Sequence, residues 1–486
     1  MKNFYLLLGL FISLSPTESQ AQWQTDIRLT NNPAFSGYPS VSVSDSVVHV
    51  VWEDTRDWIN QEIYYKRSTD GGVSWGADTR LTNDSALSRS PSVSVSGSVV
   101  HVVWDDERDV NFEIYYKRST DGGISWGVDT RLTNNSSISI FPSVSVSGSL
   151  VHVVWFDYRD GAGTEVYYKR STDGGISWGV DTRLTNDPAF SGYPSVSVSA
   201  SLVHVIWSDE RDGNLEIYYK RSTDGGTSWE ADTRLTSNPD NSAFPSVSVS
   251  GSVVHVLWQD NRDGNYEIYN KRSTDGGMNW EADTRLTNNS ALSLSPSVSV
   301  SDSAVHVVWY DERDGNQEIY YKRSTNEGAS WEADIRLTVN MFGSQYPSVS
   351  VSDSDVHVLW SDNRDGNYEI YYKRDPTGNV TGIENIILGI PKEFSLSQNY
   401  PNPFNPSTKI KFSIPSVTLR QAQSDNWVTL KVYDILGREI ATLVDEEKPA
   451  GNYEIIFDGK DLPSGMYVYK LTSGNYTESK KMLLLK

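Results

Sequence analysis

Residues 91–133 read PSVSVSGSVVHVVWDDERDVNFEIYYKRSTDGGISWGVDTRLT. Four runs rich in Val, Ile, Tyr, Trp and Thr, at 91–98, 99–107, 112–120 and 125–133, are punctuated by Gly-Ser, Arg-Asp-Val-Asn and Asp-Gly-Gly. β-Branched and aromatic residues favour the pleated surface of a strand, whereas Gly, Asn and Asp favour turns. The stretch therefore predicts one four-stranded antiparallel sheet. In the first run Val and Ser alternate, so Val faces one side of the sheet and Ser the other. Small Ser suits a crowded innermost strand. The bulky second run, His-Val-Val-Trp, suits the wider space farther out.

The same hexapeptide, PSVSVS, begins at Pro39, Pro91, Pro142, Pro194, Pro245, Pro296 and Pro347, with spacings of 52, 51, 52, 51, 51 and 51 residues. A period near fifty with four strands per unit predicts a β-propeller. The seventh unit stops after Arg374 without a fourth run, while residues 23–30 (WQTDIRLT) match residues 75–82 (WGADTRLT) and have no first three runs before them. Pairing this N-terminal strand into the last unit leaves no fragment over and removes two open sheet edges. The predicted fold class is all-β: a seven-bladed β-propeller over 22–374 closed by an N-terminal strand, then a linker at 375–392 and a small Ig-like β-sandwich at 393–486.

Composition agrees. Sixteen Trp and twenty-seven Tyr in a chain of 486 residues that is only 37% hydrophobic fit short strands held by aromatic anchors. Forty-two Lys plus Arg against sixty-three Asp plus Glu give −21, which disfavours nucleic acid or an anionic membrane as partner. The chain has no Cys, which excludes disulfides, thiolate metal sites and a cysteine nucleophile. Residues 1–21 carry an early Lys, a short apolar run, Pro16 and a small-residue exit at Ser19-Gln20-Ala21, the pattern of a secretory signal peptide. A soluble, exported monomer without a transmembrane segment is expected.

Four sets of repeated residues are candidates for chemistry. All seven histidines (His49, His101, His152, His204, His255, His306, His357) fall in the second run. Symmetry places them on different sheets roughly 10 Å apart, whereas metal bonds need about 2 Å, so a structural hydrogen bond is expected and no metal or cofactor. Between the second and third runs stand Arg56, Arg108, Arg159, Arg211, Arg262, Arg313 and Arg364, each flanked by two Asp. The links between units carry Phe35, Tyr38, Phe141, Phe190, Tyr193, Phe244 and Tyr346. Both sets belong to one face of the ring. Aromatic platforms beside planar Arg and Asp can hold sugars or peptide segments; alternatively each Arg bridges its own two Asp and stiffens the loop. At the opposite end, Ser-Thr-Asp-Gly-Gly-x-x-Trp recurs with Asp70, Asp121, Asp173, Asp224 and Asp275, and weakens to Asn326-Glu327-Gly328 in the sixth unit. There Asp accepts downstream amides, Gly takes positive φ, and Trp locks the turn onto the sheet.

This last motif resembles the Asp box, Ser-x-Asp-x-Gly-x-x-Trp, of sialidases and other bacterial neuraminidase-repeat propellers. The resemblance implies a propeller whose Asp boxes are structural and lie away from the active face. Sialidase-type chemistry needs an Arg cluster, a Tyr nucleophile paired with a Glu, and an Asp acid/base from different blades. Here the units are near copies and the family's Arg-Ile-Pro signature is absent. The departures are Trp58-Ile59, Gly161-Ala162-Gly163, Asn270 and Met278-Asn279, none of which assembles an Arg triad. The string Ser208-Asp209-Glu210-Arg211-Asp212-Gly213-Asn214-Leu215-Glu216-Ile217-Tyr218 resembles the repeat of the Tol-system periplasmic propeller, which implies protein partners. The tail strings YPNPFNPSTKIKFSIP, VYDILGREIATLVD, LPSGMYVYKL and KKMLLLK resemble the type A C-terminal sorting domain of type IX secretion cargo. That resemblance implies export through the type IX machinery, with the body released or attached to the cell surface. The expected function is binding of an extracellular polysaccharide or protein, with a sialidase-like glycoside hydrolase and a Tol-like interaction propeller as alternatives.

Overall fold

The computed structural model describes residues 23–57, 60–161, 163–352, 355–377, 394–414, 427–448, 451–474 and 476–486. The expected signal peptide, Trp58-Ile59, Ala162 and residues 378–392 of the expected linker lie outside them. Every regular element among the described residues is a strand. The chain divides into two compact units, Met1–Thr381 and Gly382–Lys486.

Each repeat folds into a four-stranded antiparallel sheet in chain order. In the fourth, Ser191–Ser199 is the inner strand, followed outward by Leu202–Asp209, Glu216–Ser222 and the short Thr233–Arg234. The second strand is buried over its last seven residues, and its two faces go to different neighbours. Val203, Val205 and Trp207 pack with Val154, Val166 and Tyr168 of the third sheet. Ile206 on the other face joins Val254, Val256 and Trp258 of the fifth. Each core thus lies between two consecutive sheets. The same arrangement joins Leu359, Ile370 and Tyr372 of the last repeat to Val48, Val50 and Trp52 of the first.

The last repeat supplies three strands, Ser344–Ser352, Asp355–Asp362 and Glu369–Asp375, and Ile27–Arg28 is the fourth, with Ile27 opposite Tyr372 and Arg28 opposite Tyr371. Trp23 meets Tyr321 edge-on at 4.8 Å, as Trp75 meets Tyr372 and Trp126 meets Tyr65.

The inner strands are not straight. They begin three residues before PSVSVS and bulge there: between Gly192 and Ser195 the register against the second strand shifts. The residue before each Pro takes a left-handed conformation, at Tyr38, Ser90, Phe141, Tyr193, Phe244, Ser295 and Tyr346, with φ between 51° and 54°. Such a φ is uncommon for non-glycine residues and is stored where surrounding structure enforces it. Proline, with no N–H, fits an inner edge that pairs on one side only.

In the second unit, Ser395–Leu396, Ser407–Ile414 and Gly451–Asp458 form one sheet, and Glu439–Glu447, Trp427–Tyr433, Gly465–Ser473 and Tyr476–Leu484 form another in that spatial order. Alternating residues of both, including Ile410, Phe412, Leu430, Leu471 and Met482, share one core. Phe404 of the YPNPFNP string belongs to that core at 2% exposure.

Candidate functional site

The bulge decides which side chains meet. It swings five rings, Tyr38, Phe141, Tyr193, Phe244 and Tyr346, to the end of the inner strands, where they line a cavity of about 550 Å³ together with all seven prolines of the PSVSVS strings. Tyr38 and Tyr346 lie 4.4 Å apart between ring centroids, Tyr193 and Phe244 4.5 Å, and Phe141 and Tyr193 5.5 Å. These rings belong to the inner strands and not to the links between units, the first departure from the sequence reading. Phe35 and Phe190 do stand in the links, where Phe35 packs beside Tyr38 and Phe190 beside Tyr193.

Ser90 and Ser295 interrupt the aromatic ring, and the first gap is polar. Glu53, Gln61 and Arg89 complete the cavity wall. Glu53 accepts the amide of Ser90 at 3.3 Å and the Gln61 side chain at 3.3 Å. Arg89 reaches the fully buried Asp105 at 3.2 Å while lying 3.9 Å over the Phe112 ring. Burial pushes the Glu53 carboxyl up to about 7, with the neighbouring Asp105 adding to it and the Ser90 amide and Arg89 opposing. Burial likewise raises Asp105 to about 6 against the pull of Arg89. A carboxyl poised near neutrality can donate or accept a proton or a hydrogen bond. The sequence reading missed these residues. The signal was present: the residue between the constant Trp and Asp of the second strand varies as Glu53, Asp105, Phe156, Ser208, Gln259, Tyr310 and Ser361, and this position reaches the next inner strand.

The seven arginines are elsewhere. None of them lines the cavity. Arg211 donates from Nε and Nη2 to Asp209 at 2.8 and 2.6 Å and from Nη1 to Asp232 at 2.9 Å, and it lies 4.3 Å over the Tyr218 ring. Asp209 also accepts Trp207 Nε1 and the Ser191 hydroxyl. Desolvation pushes the Asp209 carboxyl up, but the Arg211 and Trp207 bonds outweigh it and hold it below the usual carboxylate range. Lys220 ties Asp232 at 2.7 Å to the Leu184 carbonyl of the preceding repeat. Arg56, Arg108, Arg159, Arg262, Arg313 and Arg364 bind the equivalent pairs, Arg364 using Asp26 of the N-terminal strand. The stiffening partners therefore differ from the flanking pair that the sequence offered: Asp212 accepts Tyr218 and pairs with Arg234 instead.

The Asp boxes lie at the other end of the strands, between the third strand and the outer one. Asp173 accepts the amides of Ile176 and Ser177 at 3.0 and 2.9 Å. Hydrogen bonds from the Ser177 side chain and amide and from Ser171 hold its carboxyl well below the usual range. Asp70, Asp121, Asp224 and Asp275 repeat this, and Asn326 accepts Ser330 in the same way. Each box also locks two sheets together. A Cβ on Gly123 would sit 1.9 Å from the Tyr65 hydroxyl of the preceding sheet, and Arg67 donates to the Gly122 carbonyl at 2.6 Å. The same Tyr65 hydroxyl meets His49 Nδ1 at 2.7 Å. In the fifth sheet Asn270 replaces the Tyr and meets His255 at 3.1 Å.

A family model described as BNR repeat-like domain matches residues 11–256. The chain belongs to the BNR repeat-like domain family. Its tail matches the secretion system C-terminal sorting domain over residues 398–485, the mark of proteins secreted by the type IX system to the cell surface or the medium. Among the described residues no helix is long and apolar enough to cross a membrane. No curated protein matches the chain. Among solved structures, polysaccharide lyase Uly1 is 10% identical, with 73% of this chain and 99% of that one covered at a TM-score of 0.50. A protein of unknown function from Dyadobacter fermentans is 14% identical over 74% and 99% at 0.49. The sialidase of Trypanosoma rangeli is 11% identical over 93% and 85% at 0.43. At such identities the likeness concerns the fold alone.

Proposed function

We propose that residues 22–374 form a seven-bladed propeller closed by Ile27–Arg28, and that its mouth binds an extracellular polysaccharide. The chain would be exported by a signal peptide at 1–21 and by the sorting domain at 393–486, with 375–392 as linker. Closure is supported by the shared core of the first and last repeats, by the bond from Arg374 to the Gly71 carbonyl at 2.6 Å, and by the pairing of the N-terminal strand. The observation that carries the ligand is the cavity itself: five strained rings converge on a space of ligand size. Partly exposed ring faces beside a few fixed polar groups suit sugar rings and their hydroxyls. The seven arginines drop out of this reading because none of them lines the cavity and each is already ion-paired with Asp residues.

Isothermal calorimetry of the intact secreted chain against plant and algal polysaccharides tests it. Phe244→Ala and Tyr193→Ala should each weaken binding several-fold without a loss of fold. Binding of protein ligands only, unaffected by either variant, would overturn it.

Glu53 favours a second reading, a glycoside-cleaving enzyme with this carboxyl as proton donor. Sialidase chemistry fits poorly, because among the described residues Arg89 is the one cation on the cavity wall. Reducing-sugar release lost in Glu53→Gln, with polysaccharide binding retained, would establish the enzyme in place of the simple binder.

A further inference from the structure

We propose that the mouth opens at the seam between the first and last repeats into a groove that continues over the last repeat toward the sixth, and that this groove holds the continuation of a neutral, linear polysaccharide chain. The inference rests on the mouth binding a polysaccharide and adds where the chain runs and what charge it carries.

Three cavities share walls in sequence. Tyr38 and Tyr346 separate the mouth from a second space of about 170 Å³, which is completed by Phe35, Gln345, Ser361 and Tyr368. Tyr368 in turn borders a third of about 420 Å³, lined by Asn316, Gln317, Met341, Phe342 and Asn363 among others. The aromatic contacts follow the same path. Tyr346 stands 4.4 Å from Tyr38, Tyr38 6.3 Å from Phe35, and Phe35 5.8 Å from Tyr368.

One small residue keeps this path open. In the third repeat the position after the second-strand Trp is Phe156, and it fills the space among Phe141, Phe190 and Tyr193. At the equivalent position of the last repeat stands Ser361, among Tyr346, Phe35 and Tyr38. The hydroxyl accepts the Tyr38 amide at 3.2 Å and leaves the rest of that volume empty.

The lining selects the chemistry. Among the described residues the two outer cavities are lined by the amides of Asn316, Gln317, Gln345 and Asn363, the Tyr368 hydroxyl and one ionisable acid, Glu312, with no Lys or Arg. Asn316 already donates to Glu318, Gln317 to Glu312 and Gln345 to the Tyr368 hydroxyl, so a sugar would meet mainly acceptors and fixed dipoles. Amides and phenols exchange hydrogen bonds with sugar hydroxyls, and rings supply flat apolar faces. A uronic or sulfated chain would bring anions beside Glu312 in a protein of net charge −21, with no Lys or Arg among the described lining residues. A neutral chain meets no such repulsion.

The test is calorimetry of the full chain with neutral gluco- and xylo-oligosaccharides of two to eight units, and with polygalacturonate. Affinity should rise at least ten-fold from three to eight units and show no such rise with the polyanion. Phe244→Ala, in the mouth, should weaken short and long oligomers alike. Ser361→Phe, which copies the filling by Phe156, and Tyr368→Ala should flatten the length dependence. If Ser361→Phe does not fold, Tyr368→Ala decides alone. Length dependence that survives in a folded groove variant, or that is absent from the native chain while short oligomers bind, overturns the groove and leaves the mouth standing. No binding of any neutral or anionic sugar overturns both.

Discussion

Replacing Arg211 with Met tests whether the seven arginines are structural. The guanidinium satisfies Asp209 twice and Asp232 once and covers the Tyr218 ring, and its side chain is 24% exposed while that of Asp209 is 0%. Breaking a buried pair from one side costs about 3–5 kcal/mol because a charge is left uncompensated. Partial exposure of Arg211 reduces that, and the lost cation–ring contact adds about 0.5–1 kcal/mol. Asp232 keeps Lys220, and Asp209 keeps the Trp207 and Ser191 donors. The expected net cost is about 2–4 kcal/mol. Urea unfolding of the full chain followed by Trp fluorescence measures it. Asp209→Asn combined with Arg211→Met removes the stranded charge while keeping an acceptor, and should recover about 1–2 kcal/mol. A single-variant cost below about 0.5 kcal/mol would mean an ordinary surface pair. Lost polysaccharide binding at unchanged stability would mean that Arg211 is displayed for the ligand after all.

Glu53→Gln should stabilise the protein at pH 8, since Gln259 already serves the Ser295 amide as Glu53 serves that of Ser90. With its folded value raised to about 7, Glu53 contributes stability that is full below its unfolded value and lost as pH rises through about 7. The variant should flatten that decline, worth about 1–3 kcal/mol, in thermal melts from pH 4 to 8; parallel curves for both proteins would contradict the assignment. Asp173→Ala should lower the melting temperature with binding intact, and a selective loss of binding would reverse the two faces. Deleting residues 22–30 should destabilise the repeat unit broadly, because Ile27–Arg28 and Asp26 are removed from the last sheet. Removing the sorting domain should leave that melt unchanged, and a strand deletion that melts like the intact chain would exclude closure.

Much of this molecule is written along the chain. The four runs of residues 91–133 became four strands because period-two alternation and turn chemistry act over a few residues, and the same local rules hold in every repeat. The stray WQTDIRLT strand could be matched to its vacancy because repeats carry their own template; its pairing with residues 369–375 follows. The Asp box turn was equally legible, being a contact of a carboxylate with amides three and four residues away.

Contacts between repeats were not legible, because near-identical units give no hint of which atom meets which neighbour. Only the packed structure decided that Gly123 makes room for Tyr65, that Arg211 takes Asp232 and not Asp212, and that a bulge before each Pro turns five rings inward. The polar gap at Glu53, Arg89 and Asp105, and the opening beside Ser361, arise where one variable position of one sheet faces a variable position of the next. Sequence determines each sheet through neighbours on the chain, whereas the site exists only between sheets, where residues some fifty positions apart are brought within hydrogen-bonding distance.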